Sequence, residues 1–317
     1  MLKRIFLCFL CTFCLLVKAD YPDKPIKIIV PFPAGDGLDI QARMIGQKLS
    51  EKLGQQVLID NKPGAGTLIG VEAAAKSPAD GYTLVLVTTT YAINPSLREK
   101  VPYDPLKDFS PLIQTTAVPL VVVANNNFAA NNFSEVMAMA KLKPGEISMG
   151  NSGLGTAAHI GMEMLNTSAG IKFNHVPYKG IPPALTDMIG GRLQLMCTSP
   201  AQVMGAIREG KIKPVFVTSA KRMSQLPQVP TVQESGIQGY DVNAWVGLMV
   251  PAGTPQAIIQ KLNREIAVII TNPEMKARLS NDGSEVIAST PEAFGTHVRR
   301  ELDKWSTVIK SAGIKAE

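Results

Sequence analysis

Two periods alternate along the chain. Short β-branched and aliphatic runs bounded by Gly, Pro, Asn or Asp read as strands, and stretches with apolar residues at helical spacing read as helices. In the first third, residues 26–32, 57–60 and 83–88 predict strands. Residues 39–53 predict a helix, with Ile40, Met44, Ile45, Leu49 and Leu53 near helical spacing and Gly54 as a stop. A second helix is predicted over 68–76, ended by Ser77-Pro78. This β-α-β-α-β order predicts a mostly parallel sheet with helices on both faces.

Residues 89–118 carry Pro95, Pro102, Pro105 and Pro111 and read as an irregular connection. A new β/α series starts with the run 119–124. Helices are expected at 134–143, with Ser134 as cap, from 156 onward, and at 183–189 and 201–209. Strands are expected at 147–150, 172–176, 193–197 and 214–219. After a Pro/Gly-rich piece at 225–239 come a strand at 244–250 and helices at 256–271, 273–281 and 291–311. Ser289-Thr290-Pro291-Glu292 gives the last helix a strong start signal. The middle of the chain reads as a β/α unit inserted between two flanking pieces. Two crossings would then make a hinged cleft, with domain 1 formed by 20–122 and 220–317 and domain 2 by 123–219.

The amino terminus changes the composition. Lys3 and Arg4 precede the apolar run 5–17, and Val17-Lys18-Ala19 has cleavage-like spacing, so residues 1–19 read as a secretory signal peptide. The run is too short for a membrane span. Losing Lys3, Arg4 and Lys18 takes the formal charge from +6 to +3, and no Lys/Arg cluster remains to support nucleic-acid binding. Cys8, Cys11 and Cys14 go with the leader, leaving Cys197 without a disulfide partner. At 45% hydrophobic and 18% charged, the 317-residue chain suits a folded protein with a large core.

Two loops carry candidate chemistry. Pro31-Phe32-Pro33-Ala34-Gly35-Asp36-Gly37-Leu38-Asp39 follows the first strand and opens the first helix. Main-chain N–H groups at a helix start attract anions, and glycine lets a ligand approach closely. The same residues equally suit a tight strand-to-helix turn capped by Asp36 or Asp39. Gly150-Asn151-Ser152-Gly153-Leu154-Gly155-Thr156-Ala157-Ala158-His159 repeats the arrangement, adding the Ser152 and Thr156 hydroxyls. An N-cap with a packing histidine is its bland counterpart. Two such loops in opposite domains would make a two-sided anion clamp.

Catalytic readings are weaker. Residues 150–154 miss the last glycine of the G-x-S-x-G elbow. Residues 64–70 have their last glycine one place late for a dinucleotide loop and suit a helix entry turn. His159, His175 and His297 are widely spaced and Cys197 has no CxxC partner, so no metal site is expected. Lys179 could attract a carboxylate or stand as a solvated loop residue. Trp245 and Tyr91 suit a cleft wall or the core.

A series of short words then stands out. It includes Tyr21-Pro-Asp-Lys-Pro-Ile-Lys-Ile-Ile-Val-Pro-Phe-Pro-Ala-Gly, Asn61-Lys-Pro-Gly-Ala-Gly, Asp80-Gly-Tyr-Thr-Leu and Tyr103-Asp-Pro. Further on stand Gly153-Leu-Gly-Thr-Ala-Ala-His, Val176-Pro-Tyr-Lys-Gly, Pro183-Ala-Leu-Thr-Asp-Met-Ile-Gly-Gly, Leu226-Pro-Gln-Val-Pro-Thr-Val and Pro251-Ala-Gly-Thr-Pro. In this order the chain resembles the Bug receptors, the extracytoplasmic solute-binding proteins of tripartite tricarboxylate transporters.

The resemblance implies an α/β, type II periplasmic binding-protein fold with a ligand cleft between two domains. It implies a periplasmic, non-catalytic receptor without cofactor or metal. Such a receptor would capture a small organic carboxylate or amino acid and deliver it to membrane transporter subunits; a monomer suits the role. Ligand contacts would fall on Phe32, Ala34, Gly35 and Asp36 in the first loop and on Ser152, Gly155, Thr156 and His159 in the second, with Thr198 after a later strand. Asp36 stands where the family usually has Gly. Facing the site, its carboxylate would repel an anion or pair with a ligand amino group; turned outward it would do neither. Leu38, Ile181, Pro182 and Gln194 also depart from the pattern. An exported α/β hydrolase and a sensory co-receptor remain the alternatives. If Thr156 contributes a hydroxyl to the ligand, Thr156→Val lowers affinity in calorimetry and leaves the fold intact.

Overall fold

The computed structural model describes residues 21–280 and 283–314. The leader read at 1–19 and Asn281, at the end of a predicted helix, lie outside the described residues. The first elements are β1 (Ile26–Val30), α1 (Gly37–Leu53), β2 (Val57–Asn61), α2 (Leu68–Ala75) and β3 (Thr83–Thr88). β1 pairs in parallel with β2 and with β3. Its side chains alternate. Ile26, Ile28 and Val30 pack with Ala42, Ile45 and Leu49 of α1, whereas Ile29 joins Val71 and Ala74 of α2 in the other core. Both faces of the strand are therefore covered, as a parallel sheet requires.

The proline-rich stretch is not irregular. It holds α3 (Thr89–Leu97) and β4 (Phe109–Pro119). Pro95 lies inside α3, where its missing N–H would normally leave the Tyr91 carbonyl unpaired. The Tyr103 hydroxyl donates to that carbonyl at 3.4 Å. Pro111 sits beside a register shift in the pairing of β4, a place where a strand tolerates a missing donor.

The second sheet follows immediately. Its elements are β5 (Val121–Asn125), α4 (Phe133–Leu142), β6 (Ser148–Asn151), α5 (Ala157–Ala169), β7 (Asn174–Pro177), α6 (Ile181–Ile189), β8 (Leu195–Thr198), α7 (Met204–Arg208) and β9 (Ile212–Val217). Several expectations shift. Asn132, not Ser134, caps α4, accepting from the Glu135 N–H at 3.0 Å. The predicted helix at 201–209 is a 3-10 turn at Pro200–Gln202 followed by the short α7. Cys197 is fully buried at the end of β8, and burial pushes its thiol pKa well up.

The chain returns to the first sheet through β10 (Asn243–Pro251), α8 (Gln256–Thr271), α9 (Pro273–Ser280), β11 (Glu285–Val286) and α10 (Pro291–Ala312). The first sheet runs β11-β4-β10-β3-β1-β2 and the second β7-β6-β8-β5-β9. Neither is purely parallel. β10 lies antiparallel to both β3 and β4, and β5 antiparallel to both β8 and β9. β10 and β5, each antiparallel to both its neighbours, meet a crossing, as do β4 and β9. Among the described residues no helix is long and apolar enough to cross a membrane.

The crossings meet at one threonine. The first is Leu120, between β4 and β5; the second is the segment 218–242, between β9 and β10. Thr218 is fully buried. Its N–H donates to the Leu120 carbonyl at 2.9 Å, its carbonyl accepts from the Val242 N–H at 2.9 Å, and its hydroxyl accepts from the Leu120 N–H at 3.2 Å. The hydroxyl donates to the Val242 carbonyl at 2.6 Å. Segment 218–242 also stays close to the second sheet: Tyr240 donates to the Gly161 carbonyl at 2.7 Å, and the Val232 N–H to Val217.

Thr218→Val keeps the shape but leaves the Leu120 N–H and Val242 carbonyl without their hydroxyl partner. The expected loss is about 1–3 kcal/mol, read from the urea midpoint. A variant as stable as wild type would show that this hydroxyl does not hold the joint.

Candidate functional site

In an open α/β sheet, ligands lie outside the carboxyl ends of the parallel strands. On the first sheet this edge carries the turns after β1, β2 and β3; on the second it carries those after β6, β7 and β8.

A buried carboxylate shapes the turn after β1. Asp39 is 1% exposed. It accepts from the Gly35 N–H at 2.8 Å, from Arg43 Nε at 2.9 Å and from Asn61 Nδ2 at 2.9 Å. The same Asn61 amide donates to the Phe32 carbonyl at 3.0 Å. Desolvation pushes the Asp39 carboxyl pKa up. The hydrogen bonds from Arg43, Gly35 and Asn61, with the Arg43 charge, outweigh this and hold it at about 2. Asp36 caps α1 instead, accepting from the Leu38 N–H at 2.8 Å. Its charge thus sits at the positive end of the α1 dipole. The Gly35 N–H is already bonded inward. Among the described residues no acceptor meets the N–H groups of Ala34 and Gly37.

The turn after β6 has the same design. The Gly153 N–H donates to Asn151 Oδ1 at 3.0 Å, and the Gly155 N–H to His159 Nδ1 at 3.2 Å. Thr156 is the N-cap of α5; its hydroxyl accepts from the His159 N–H at 3.3 Å and donates to the Gly153 carbonyl at 2.9 Å. Thr156 is therefore tied into the fold. Thr156→Val is expected to cost about 1 kcal/mol of stability through loss of the cap, beside any effect on affinity. Among the described residues the N–H groups of Ser152 and Leu154 have no acceptor. Thr198 ends β8, beside β6 at the same edge, and is buried.

Sequence reasoning missed Asn151. It is fully buried, its Oδ1 is used by Gly153, and its Nδ2 has no partner. It also missed Thr88 and Thr90, whose hydroxyls meet at 2.8 Å where β3 enters α3. Reading 89–118 as irregular hid that turn. Trp245 and Tyr91 prove to be core residues, 1% and 0% exposed. Lys179 is exposed. Neither turn lines any of five surface cavities of about 210–510 Å³, which lie elsewhere on the molecule.

His159, Glu163 and His175 come together behind the second turn, ligand atoms within 4.8 Å of one another, despite their sequence separation. The tautomer argues against metal binding. His159 Nδ1 accepts the Gly155 N–H, so the neutral ring carries its proton on Nε2, the atom that would have to ligate. The group reads as a polar packing cluster, with His175 Nε2 3.3 Å from Glu163 Oε1 and the two imidazoles edge to face.

Desolvation, then the neighbouring His175, lowers the His159 pKa from 6.5 to about 4, against an upward pull from Glu163. The neutral ring thus supports the fold fully above its unfolded pKa of 6.5, and that support is lost as pH falls toward about 4. The size is about 3 kcal/mol for such a shift. Urea unfolding between pH 7 and pH 4 should show a shallower loss in His159→Gln than in wild type. Parallel curves would remove His159 as a source of acid sensitivity.

The comparisons agree with this geometry. The family model described as "Tripartite tricarboxylate transporter family receptor" matches residues 41–314. BugT of Bordetella pertussis is 34% identical over 302 residues, 94% of this chain and 93% of that protein. The structure of the periplasmic binding protein BugD is 34% identical, covers 94% of this chain and 100% of its own, and gives a TM-score of 0.77. An R. palustris structure with adipate, Rpa4515, is 33% identical, covers 93% and 99%, and gives 0.80. The fold is that of periplasmic binding proteins, and the chain belongs to the receptor family of tripartite tricarboxylate transporters, a family of solute-binding proteins rather than enzymes.

Proposed function

We propose that this chain is a periplasmic receptor that captures a small organic carboxylate between two domains and delivers it to a tripartite membrane transporter. One observation carries the reading. Each sheet presents a Gly-containing strand-to-helix turn at the carboxyl edge of its parallel strands, and two crossings join the sheets. The family and the adipate found in the R. palustris relative support a carboxylate as the ligand class.

The division into domains follows the sheets, with the joint at Leu120 and near Val242. The N–H groups of Ala34, Gly37, Ser152 and Leu154, with the Ser152 hydroxyl, supply donors to the anion. Phe32 and Thr198 flank them. Gly35, Gly155, Thr156 and His159 act by fixing turn shape through the bonds described above. Asp36 acts as the α1 cap, so it leaves the ligand class open to simple acids. Contacts that bridge both turns favour the closed arrangement, which the transporter subunits read.

The test is unfolding of the mature protein, stripped of ligand by partial denaturation and refolding, with adipate, citrate, glutamate and benzoate. A ligand at 100 times its Kd raises stability by about 2.7 kcal/mol. Stabilisation by at least one acid, with no turnover of chromogenic esters, is the expected result. A natively refolded protein that responds to none of them, or one that hydrolyses the esters, overturns the reading.

A further inference from the structure

The carboxyl end of α3 lies where three turns meet. Leu97, its last residue, packs against the turn after β6: a Cβ on Gly155 would lie 2.5 Å from Leu97 Cδ2. The next residue, Arg98, lies over the turn after β2. Its Nη2 would be 2.8 Å from a Cβ on Gly66, so the guanidinium lies directly against this glycine. That turn in turn touches the one after β1, since Asn61 donates to the Phe32 carbonyl and a Cβ on Gly70 would meet Pro31 at 2.9 Å.

The turn under Arg98 is held in an unusual conformation. Gly64, Ala65, Gly66 and Thr67 all have positive φ, at 124°, 48°, 62° and 81°. Thr67 is β-branched and buried, so this backbone is strained. Asn94 holds it by donating to the Gly66 carbonyl at 2.8 Å. The Asn94 oxygen then accepts from Arg98 Nε at 3.3 Å, which aims the guanidinium. Arg98 is half-buried. Among the described residues, no carboxylate pairs with it and no acceptor meets Nη1 or Nη2.

We propose that Arg98 is a specificity-determining residue of the ligand cleft, binding a second acidic group of the ligand and so selecting dicarboxylates over monocarboxylates. This rests on the receptor reading above. One acid group takes the main-chain donors of the turns. The other takes the Nη donors, a charge-assisted pairing that the planar guanidinium can make with both oxygens. A cation serving only the α3 dipole would leave ligand choice unchanged.

Adipate and hexanoate, two acids of equal chain length, separate these roles in calorimetry. Arg98→Gln is expected to weaken adipate by about tenfold to a hundredfold, the size of one charge-assisted hydrogen bond, and to leave hexanoate within about twofold. Arg98→Lys keeps the charge without the fork and should fall between; it also carries the test if Arg98→Gln melts early. Unchanged adipate binding, or equal weakening of both acids, overturns the role of Arg98 while the receptor reading stands. Wild-type protein that binds neither acid, nor any other carboxylate, takes down the receptor reading and the proposal together.

Discussion

A chain that passes twice between two sheets must bury backbone polar groups where neither sheet can pair them. Thr218 resolves this for both passages. Its main chain and hydroxyl bond to Leu120 on one side and Val242 on the other. The two strands are thereby fastened side by side at one point. The packing of α10 on both α3 and α5, and of Leu97 on the Gly155 turn, also sets how the two carboxyl edges stand.

A second constraint acts at those edges. A turn rich in glycine is entropically expensive to order. Here each turn is ordered by a buried polar side chain one helical turn into the following helix. Asp39 does this from α1 and His159 from α5, each accepting the N–H of the glycine four residues before it. One acceptor is charged and the other neutral, which gives the two turns different sensitivities to acid. The sheets thus reach the same local solution with different chemistry.

Much of this was legible in the sequence. Strand β3 and helix α8 have the bounds that the hydrophobic pattern predicts, because their ends carry plain punctuation. The pattern failed at α3 and β4. Proline argued against both, yet Tyr103 supplies the bond that Pro95 forgoes and a register shift accommodates Pro111. Those are tertiary remedies, invisible to local reasoning. The site divided in the same way. The two Gly-containing turns were readable from composition and spacing. Which of their groups face inward was not, because it depends on Asn61 from β2 meeting Asp39 from α1, and on a histidine ring reaching back to Gly155. Arg98 carried no sequence signal. Its position follows from the left-handed turn at residues 64–67, which only the folded chain displays.

The inward bonding of Gly35 and Gly155 has a kinetic consequence. Both turns are held by hydrogen bonds within the fold, so a solute binding there would have little backbone to order. A receptor whose binding turns are ordered beforehand is expected to separate solutes by dissociation rate more than by entry rate.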